Sequence, residues 1–292
     1  MNSRTTITQI YELKKEYEQL KTGKESLLQL IEEVEISDLV YNSNAIENST
    51  LTLKETEKIL LEQDLSRHVS TRELFEARNL ARVIKYLRNK SSLELDEELI
   101  LLLHQMLLGA IDDEIAGRFR KGDEYVKVGP HLAPPPLDIH LLLRDLFINY
   151  NSRQDMYFLD SITYFHLEFE RIHPFLDGNG RIGRLLINIQ LMQHGYPPII
   201  VRSNSKHQDY YPHFYDYQTT QNIKHIKGMA NIFSLHLRES LHKRLAYLKG
   251  LKIITVAQHS KDTGQPANSL LNKAKRQTIP AFRDRGVWKI GV

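Results

Sequence analysis

Residues 173–184 read HPFLDGNGRIGR, which places one histidine, one acid, three glycines, one asparagine and two arginines in twelve positions. Beyond Gly180, the residues Ile182, Leu185, Leu186, Ile189 and Met192 recur at helical spacing until Gly195, a suitable C-terminal stop. Gly178-Asn179-Gly180 therefore lies where a helix begins. Glycines there let the backbone approach a ligand, several N–H groups converge, and the helix dipole favours negative charge. Arg181 and Arg184 add guanidinium groups suited to bidentate phosphate contact. The stretch reads as a phosphate cradle opening a helix.

An acid in such a cradle repels the ligand unless it holds a divalent cation that bridges phosphate oxygens, so Asp177 is the expected metal ligand and Mg2+ the expected metal. His173 is then the group able to take a proton near neutral pH and activate a hydroxyl that attacks phosphorus. The combination predicts phosphoryl or nucleotidyl transfer. A Walker A loop is excluded, because G-x-x-x-x-G-K-[ST] is absent and a helical segment, not a strand, precedes the glycines.

The rest of the chain fits a helical frame. The stretch 70–90, STRELFEARNLARVIKYLRNK, has Ser70 and Glu73 at capping-box spacing and Leu80, Ile84 and Leu87 at helical intervals. The same periodicity runs through Leu99, Leu103, Met106 and Ala110, through Leu142, Leu146 and Tyr150, and through SITYFHLEFERI. DEYVKVG alternates like a short strand and is followed by PHLAPPP, so a β-hairpin or flap is expected near residues 118–129. The fold class is mainly α.

The 292 residues, 41% hydrophobic, suffice for one large domain or a main domain with a small one. There are no cysteines, which excludes disulfides, thiolate zinc sites and cysteine nucleophiles. No apolar run reaches membrane-spanning length and the opening residues are too charged for a signal-peptide core, so a soluble, cytoplasmic protein with no membrane contact is expected. HLEFERIH lacks the H-E-x-x-H spacing, and no G-x-S-x-G elbow occurs.

The net charge of +3 is unevenly spread. Eight Lys and Arg stand against two Asp from Gly250 onward, so that the tail carries +6 and the remainder −3. The tail reads as a helix, a turn at Gly264-Gln265-Pro266, a second helix through about Arg276, a short third helix and a strand over Val287 to Val292. This looks like a small winged helix-turn-helix. Lys273, Lys275, Arg276, Arg283 and Arg285 would contact phosphates if residues 250–292 bind DNA; docking on the chain's own domain or on a protein partner is the alternative.

The stretch 173–184 resembles the Fic motif H-x-F-x-[DE]-G-N-G-R-x-x-R at every specified position. The resemblance implies a Fic fold, a helical core with a hairpin flap, and transfer of AMP from ATP to a Tyr, Thr or Ser hydroxyl of a target protein or of the chain itself, with release of pyrophosphate. It makes His173 the general base, Asp177 the metal ligand, Gly178, Asn179 and Gly180 the anion hole, and Arg181 and Arg184 the phosphate contacts, with Ile182 and Gly183 between them. GRFRKGDEYVKVGPHLAPPP is similar to the family's flap and puts Val126, Lys127, Val128 and Gly129 beside nucleotide and target. DYYPHFYDYQ is similar to the segment lining the adenine pocket, with Tyr210 and Tyr211; Gln218 stands where relatives often have Asn.

Upstream, Ser43 through Asn48 reads S-x-x-x-E-N, similar to the inhibitory motif [ST]-x-x-x-E-[GN] of self-restrained Fic proteins. Ser43 and Glu47 are four apart, on one helix face. The resemblance implies that Glu47 pairs with Arg184 and denies it to the γ-phosphate, and in some relatives this glutamate also helps remove AMP. The resulting division is 1–95, a helical region with the inhibitory motif; 96–249, the Fic core; and 250–292, the basic tail. A homodimer is compatible, since relatives often pair. Two other functions stay open at this point: a DNA-binding regulator whose Fic core senses nucleotide, and a transferase of another nucleotide or phosphate-bearing group.

Overall fold

The computed structural model describes residues 1–88, 90, 93–153, 155–220 and 223–292; Asn89, within the helical stretch read over 70–90, lies outside them. In chain order the elements are α1 (Arg4–Lys21), α2 (Glu25–Ile46), α3 (Leu53–Leu60), α4 (Thr71–Leu87), α5 (Glu97–Leu108), β1 (Lys127–Val128), β2 (His131–Leu132), α6 (Ile139–Ser152), α7 (Phe158–Ile172), α8 (Asn179–Gln193), α9 (Tyr211–Thr220) and α10 (Lys227–Leu248). The tail adds β3 (Ile253–Thr255), α11 (Val256–Thr263), α12 (Ala267–Lys275), β4 (Ala281–Asp284) and β5 (Val287–Gly291). Mainly α is the observed class. Among the described residues, no helix is long and apolar enough to cross a membrane.

The antiparallel helices α7 and α8 form the centre. One face of the pair packs with α2, α4, α5 and α6 around Val40, Leu80, Leu103, Phe165 and Ile182; the other packs with α1 and α10 around Ile10, Ile187, Phe233 and Leu237. Because α8 is buried on both sides, its apolar residues run nearly all round it, and the loop that precedes it is fixed from two directions.

Helix α2 is apolar on one side and carries buried polar groups on the other. Glu35 accepts from Arg244 at 2.8 Å and pairs with Lys243 at 3.1 Å, while Asp38 accepts from Arg202 at 2.8 Å. These ion pairs are buried, so removing one partner strands the other in a low-dielectric setting. Arg244 and Lys243 join α2 to α10 directly, and Arg202, which precedes α9, bridges Asp38 to Glu239 of α10 at 3.3 Å. The N-terminus of α4 departs from the expected reciprocal box: Ser70 caps the Glu73 N–H at 3.2 Å, but the Glu73 carboxylate accepts from the Thr50 N–H at 2.6 Å and from the Ser49 hydroxyl at 3.2 Å. It thereby ties down the chain leaving α2.

The hairpin lies at 127–132 rather than 118–129, with Val128 paired to His131 across Gly129, whose φ of +57° suits glycine, and Pro130. Residues 118–124 form a compact turn instead of a strand, because Arg118 grips Glu124 with two 2.8 Å bonds and Arg120 is drawn into the protein.

In the tail the expected third helix is absent, and strand β4 stands in its place. β3, β5 and β4 form an antiparallel sheet in that spatial order, with α11 and α12 on it, an arrangement of the winged-helix kind. Arg285 and Gly286 both have positive φ, so they turn the chain between β4 and β5, and the twist of that turn favours a hairpin over a helix. Arg283 is turned inward onto Glu239 at 2.6 Å and Arg285 pairs with Glu57 at 3.1 Å, whereas Lys273, Lys275 and Arg276 are exposed on and just past α12.

Candidate active site

α7 ends at His173, whose φ of +50° is left-handed and breaks the helix, and the chain then crosses Pro174 to the start of α8. Two devices shape this crossing. Asn179 accepts the Phe175 N–H at 2.9 Å and donates to the Phe175 carbonyl at 2.8 Å, so its side chain braces the loop and does not face a ligand. Arg120, buried, donates to the carbonyls of His173 at 2.8 Å and Ile172 at 3.3 Å, capping the last turn of α7.

Beneath the loop, His104 stacks on Phe175 with ring centroids 3.7 Å apart. The Gly117 N–H donates to its Nδ1 at 3.0 Å, which leaves the Nε2–H to donate to the Asp177 carbonyl at 3.0 Å. Gly178 has φ +84°, and a Cβ there would press on Leu107, Leu108 and His104. The first intrahelical bond of α8 runs from Ile182 N–H to Gly178 O at 3.0 Å. The N–H groups of Asn179, Gly180 and Arg181 precede it, which makes this helix end an anion site.

A cleft of about 360 Å³ opens over it. Of the residues singled out by sequence, Glu47, Val128, Gly129, His173, Gly180, Arg184, Tyr210, Tyr211 and Gln218 line this cleft. The others lie elsewhere. Ile182 is in the core; Gly183 faces α7, where a Cβ would stand 2.4 Å from Glu170 Oε1; Val126 and Lys127 lie beside and on the hairpin; Ser43 holds Arg184, and the Asn48 side chain accepts from Lys206. Arg181 is buried between Asp177 at 2.9 Å and Glu76 at 3.2 Å, so in this state its charge is already met by carboxylates.

Asp177 also pairs with Arg72, and although burial pushes its carboxyl up, Arg181 and Arg72 together hold it below the usual range. It is an ionised, half-exposed carboxylate at the mouth of the cradle. Among the described residues there is no cluster of three or more acids and histidines able to hold a metal. The ionised Asp177 carboxylate offers one protein ligand, which fits a divalent cation whose remaining positions are filled by phosphate oxygens and water.

Arg184 reaches from α8 to the end of α2. Its Nε donates to the Ser43 hydroxyl at 3.0 Å, and its Nη2 to the Ser43 carbonyl at 2.9 Å and the Glu47 carboxylate at 2.7 Å. Burial would lower its pKa, but Glu47 more than offsets this and keeps it charged. A Cβ on Gly180 would meet Glu47 Oε1 at 2.2 Å. The Glu47 carboxylate therefore sits over the start of α8, on the anion site.

His173 donates from Nδ1 to the Glu170 carbonyl at 3.3 Å, which leaves Nε2 as a free acceptor. Burial pulls its pKa to about 4, with Glu170's carbonyl opposing and Arg120 contributing. His104 and His166 are likewise pulled by burial to about 4 and about 3. All three are neutral in the native state, and the unfolded chain binds protons first. Stability should therefore fall as pH drops from about 6.5 toward 4, by on the order of 1.4 kcal/mol per pH unit for each imidazole. Glu170, buried and raised to about 8 with Arg184 opposing and Glu47 adding to the rise, acts the other way over that range. Three groups outweigh one, so the urea midpoint at pH 5 is expected below that at pH 7.

Residues 94–191 match the Fic/DOC family. The chain carries a Fic domain. It is similar to proteins named protein adenylyltransferase Fic, from Drosophila persimilis (34% identity over 176 residues, 59% of this chain and 34% of the relative) and from Aedes aegypti (32% over 201 residues, 67% and 39%). The chain spans little more than a third of the length of these curated relatives. Its fold is similar to a Fic domain containing signaling protein from Bacteroides thetaiotaomicron (24% identity, TM-score 0.74, covering 82% of this chain and 97% of that one) and to Fic-1 from C. elegans (24%, 0.70, 83% and 71%).

Around the Fic motif the structure adds residues that sequence reading did not single out. Glu170, Pro130, Phe214 and Tyr215 also line the cleft, and Tyr210 is buried with its hydroxyl 2.7 Å from His166 Nε2. Glu170 stands three residues before His173 on α7, a spacing that signals proximity, but its neutral, buried state depends on α8 and α2. The partners of Asp177 and Arg181, Arg72 and Glu76, come from α4 and carry no signal in the motif.

Proposed function

We propose that this chain is a self-restrained protein adenylyltransferase that moves AMP from ATP to the hydroxyl of a Tyr, Thr or Ser side chain, in another protein or in itself. The observation that carries the proposal is the meeting, in the lining of one cleft, of an imidazole acceptor, a helix N-terminus, a guanidinium and two tyrosines. The α- and β-phosphates fit the N–H groups of residues 179–181, the γ-phosphate fits Arg184 once Glu47 leaves it, and the adenine fits between Tyr210, Tyr211, Phe214 and Gln218.

His173 Nε2 accepts the proton of the target hydroxyl as its oxygen bonds to the α-phosphorus. The bond from that phosphorus to the bridging oxygen of the β-phosphate breaks, and pyrophosphate leaves. A divalent cation, Mg2+ in the simplest case, held by Asp177 would offset charge on the phosphates. The hairpin 127–132 borders the cleft at Val128, Gly129 and Pro130 and is placed to align a target backbone. A cytoplasmic setting suits a cysteine-free chain. In this proposal 1–95 carries the inhibitory motif, 96–249 the catalytic core and 250–292 the basic tail.

The reading is tested with the Glu47→Gly variant and ATP labelled at the α- or the γ-phosphate. Protein label is expected from α alone. Label from γ alone would show phosphate transfer instead, and label from neither would overturn the proposal.

A further inference from the structure

Helix α2 ends at Glu47, and the geometry of that end is unusually complete. Asn48 is left-handed with φ +68°, the Ser49 N–H donates to the Asn44 carbonyl at 3.0 Å, and the Asn48 N–H to Ala45 at 3.2 Å. This is a Schellman end, and it explains physically why Asn follows the glutamate: the position needs a residue that tolerates positive φ. The last four carbonyls of a helix lack intrahelical donors. Here Ser43 O takes Arg184, Asn44 O takes Ser49, Ala45 O takes Asn48 and Lys206, and Ile46 O takes Lys206 and Tyr211.

Lys206 stands out in that set. Its ammonium has three donors and uses them on Ala45 O at 2.7 Å, Ile46 O at 3.0 Å and Asn48 Oδ1 at 2.8 Å. It lies outside the cleft lining and opens a π-helical turn, Lys206–Tyr210, that leads straight into Tyr211. π turns interrupt helices at a cost and are common at functional sites. The negative end of the α2 dipole and the Glu47 carboxylate point the same way, so they repel, and a cation placed at this end relieves both.

We infer that Lys206 is a positioning residue for inhibition: it clamps the end of α2 and thereby holds Glu47 on Arg184. The inference rests on the self-restrained reading given under Proposed function. Removing the ammonium leaves the Ile46 carbonyl to Tyr211 and Ala45 to Asn48, so α2 stays helical while its last turn loosens. Glu47 then spends more time off Arg184, and the anion site opens.

The test compares wild type, Lys206→Met, Lys206→Arg, Glu47→Gly and Lys206→Met/Glu47→Gly by transfer from α-labelled ATP and by hydrogen exchange of the Asn48 and Ser49 amides. Lys206→Met should raise labelling about fivefold, the size of one helix-end charge interaction, and speed exchange at both amides. Lys206→Arg, which keeps the charge and donors, should stay near wild type. In the Glu47→Gly background Lys206→Met should add nothing. A loss of labelling of equal size in both backgrounds would overturn the inference, because a residue serving the reaction or the fold acts whether or not Glu47 is present. If Glu47→Gly itself transfers no label, the proposed activity fails, and exchange alone decides: faster exchange in Lys206→Met but not Lys206→Arg supports the clamp, and unchanged exchange overturns it.

Discussion

Replacing Glu47 with glycine is expected to raise transfer of label from α-labelled ATP by about a hundredfold. Two effects act together. The 2.7 Å bond to Arg184 is lost, which frees a buried guanidinium that lines the cleft and is basic enough to stay charged without its partner. The carboxylate crowding Gly180 is also removed from the anion site. Two like charges about 4 Å apart at a surface-like effective dielectric of about 20 repel by about 4 kcal/mol, and about 1.4 kcal/mol already shifts an equilibrium tenfold. Glu47 sits at the helix cap with ordinary backbone angles, so glycine there should keep the end of α2 helical, while the loss of the carboxylate from the buried Arg184 should lower the thermal unfolding temperature. Glu47→Gln, which keeps the shape and loses the charge, should fall between wild type and Glu47→Gly. Labelling that is the same in all three would remove Glu47 from the regulation of this site.

In that activated background His173→Ala should lower labelling by about 10²–10⁴-fold, the usual contribution of a positioned general base, while ATP binding changes little. The imidazole lines the cleft and its hydrogen bond goes to Glu170, not to the anion site, so its loss should remove proton transfer and leave the phosphate contacts in place. His173 has φ +50°, a conformation that alanine tolerates poorly. His173→Asn accepts that backbone more readily and serves as the control for folding. Equal loss of ATP binding and labelling in both variants would show that His173 shapes the pocket instead of moving the proton. A second readout is pH. With burial holding the imidazole at about 4 in the free protein, kcat/KM of Glu47→Gly should keep its base functional well below pH 6.

Most helices were legible because their apolar residues repeat along the chain, as at Leu80, Ile84 and Leu87. Where a strand was missed, the deciding force was not local. β4 pairs with β5 and offers the Arg283 N–H to Glu239, a partner from α10 that no window of the tail contains. The hairpin was displaced by local bonds instead: Arg118 and Arg120 both reach Glu124 and curl residues 118–124 into a turn, a pairing that strand alternation does not register.

By itself the sequence determined the local machine: a helical stretch running up to the motif, a histidine and an acid beside the glycines, and those glycines opening α8 as an anion site. Each of these depends on groups within a few positions of one another, so order along the chain is enough. The brace of Asn179 on Phe175 was seen only in the structure. The pairing of Glu47 with Arg184 was reached through a resemblance, since the two lie 137 positions apart and no local pattern links them. Only the tertiary structure decided that Arg181 is held by Glu76 and Asp177, that Glu170 is buried neutral beside the base, and that Lys206 closes the end of α2. Those outcomes are set by charge and burial between elements distant in sequence, where desolvation fixes both the protonation and the partner of each group.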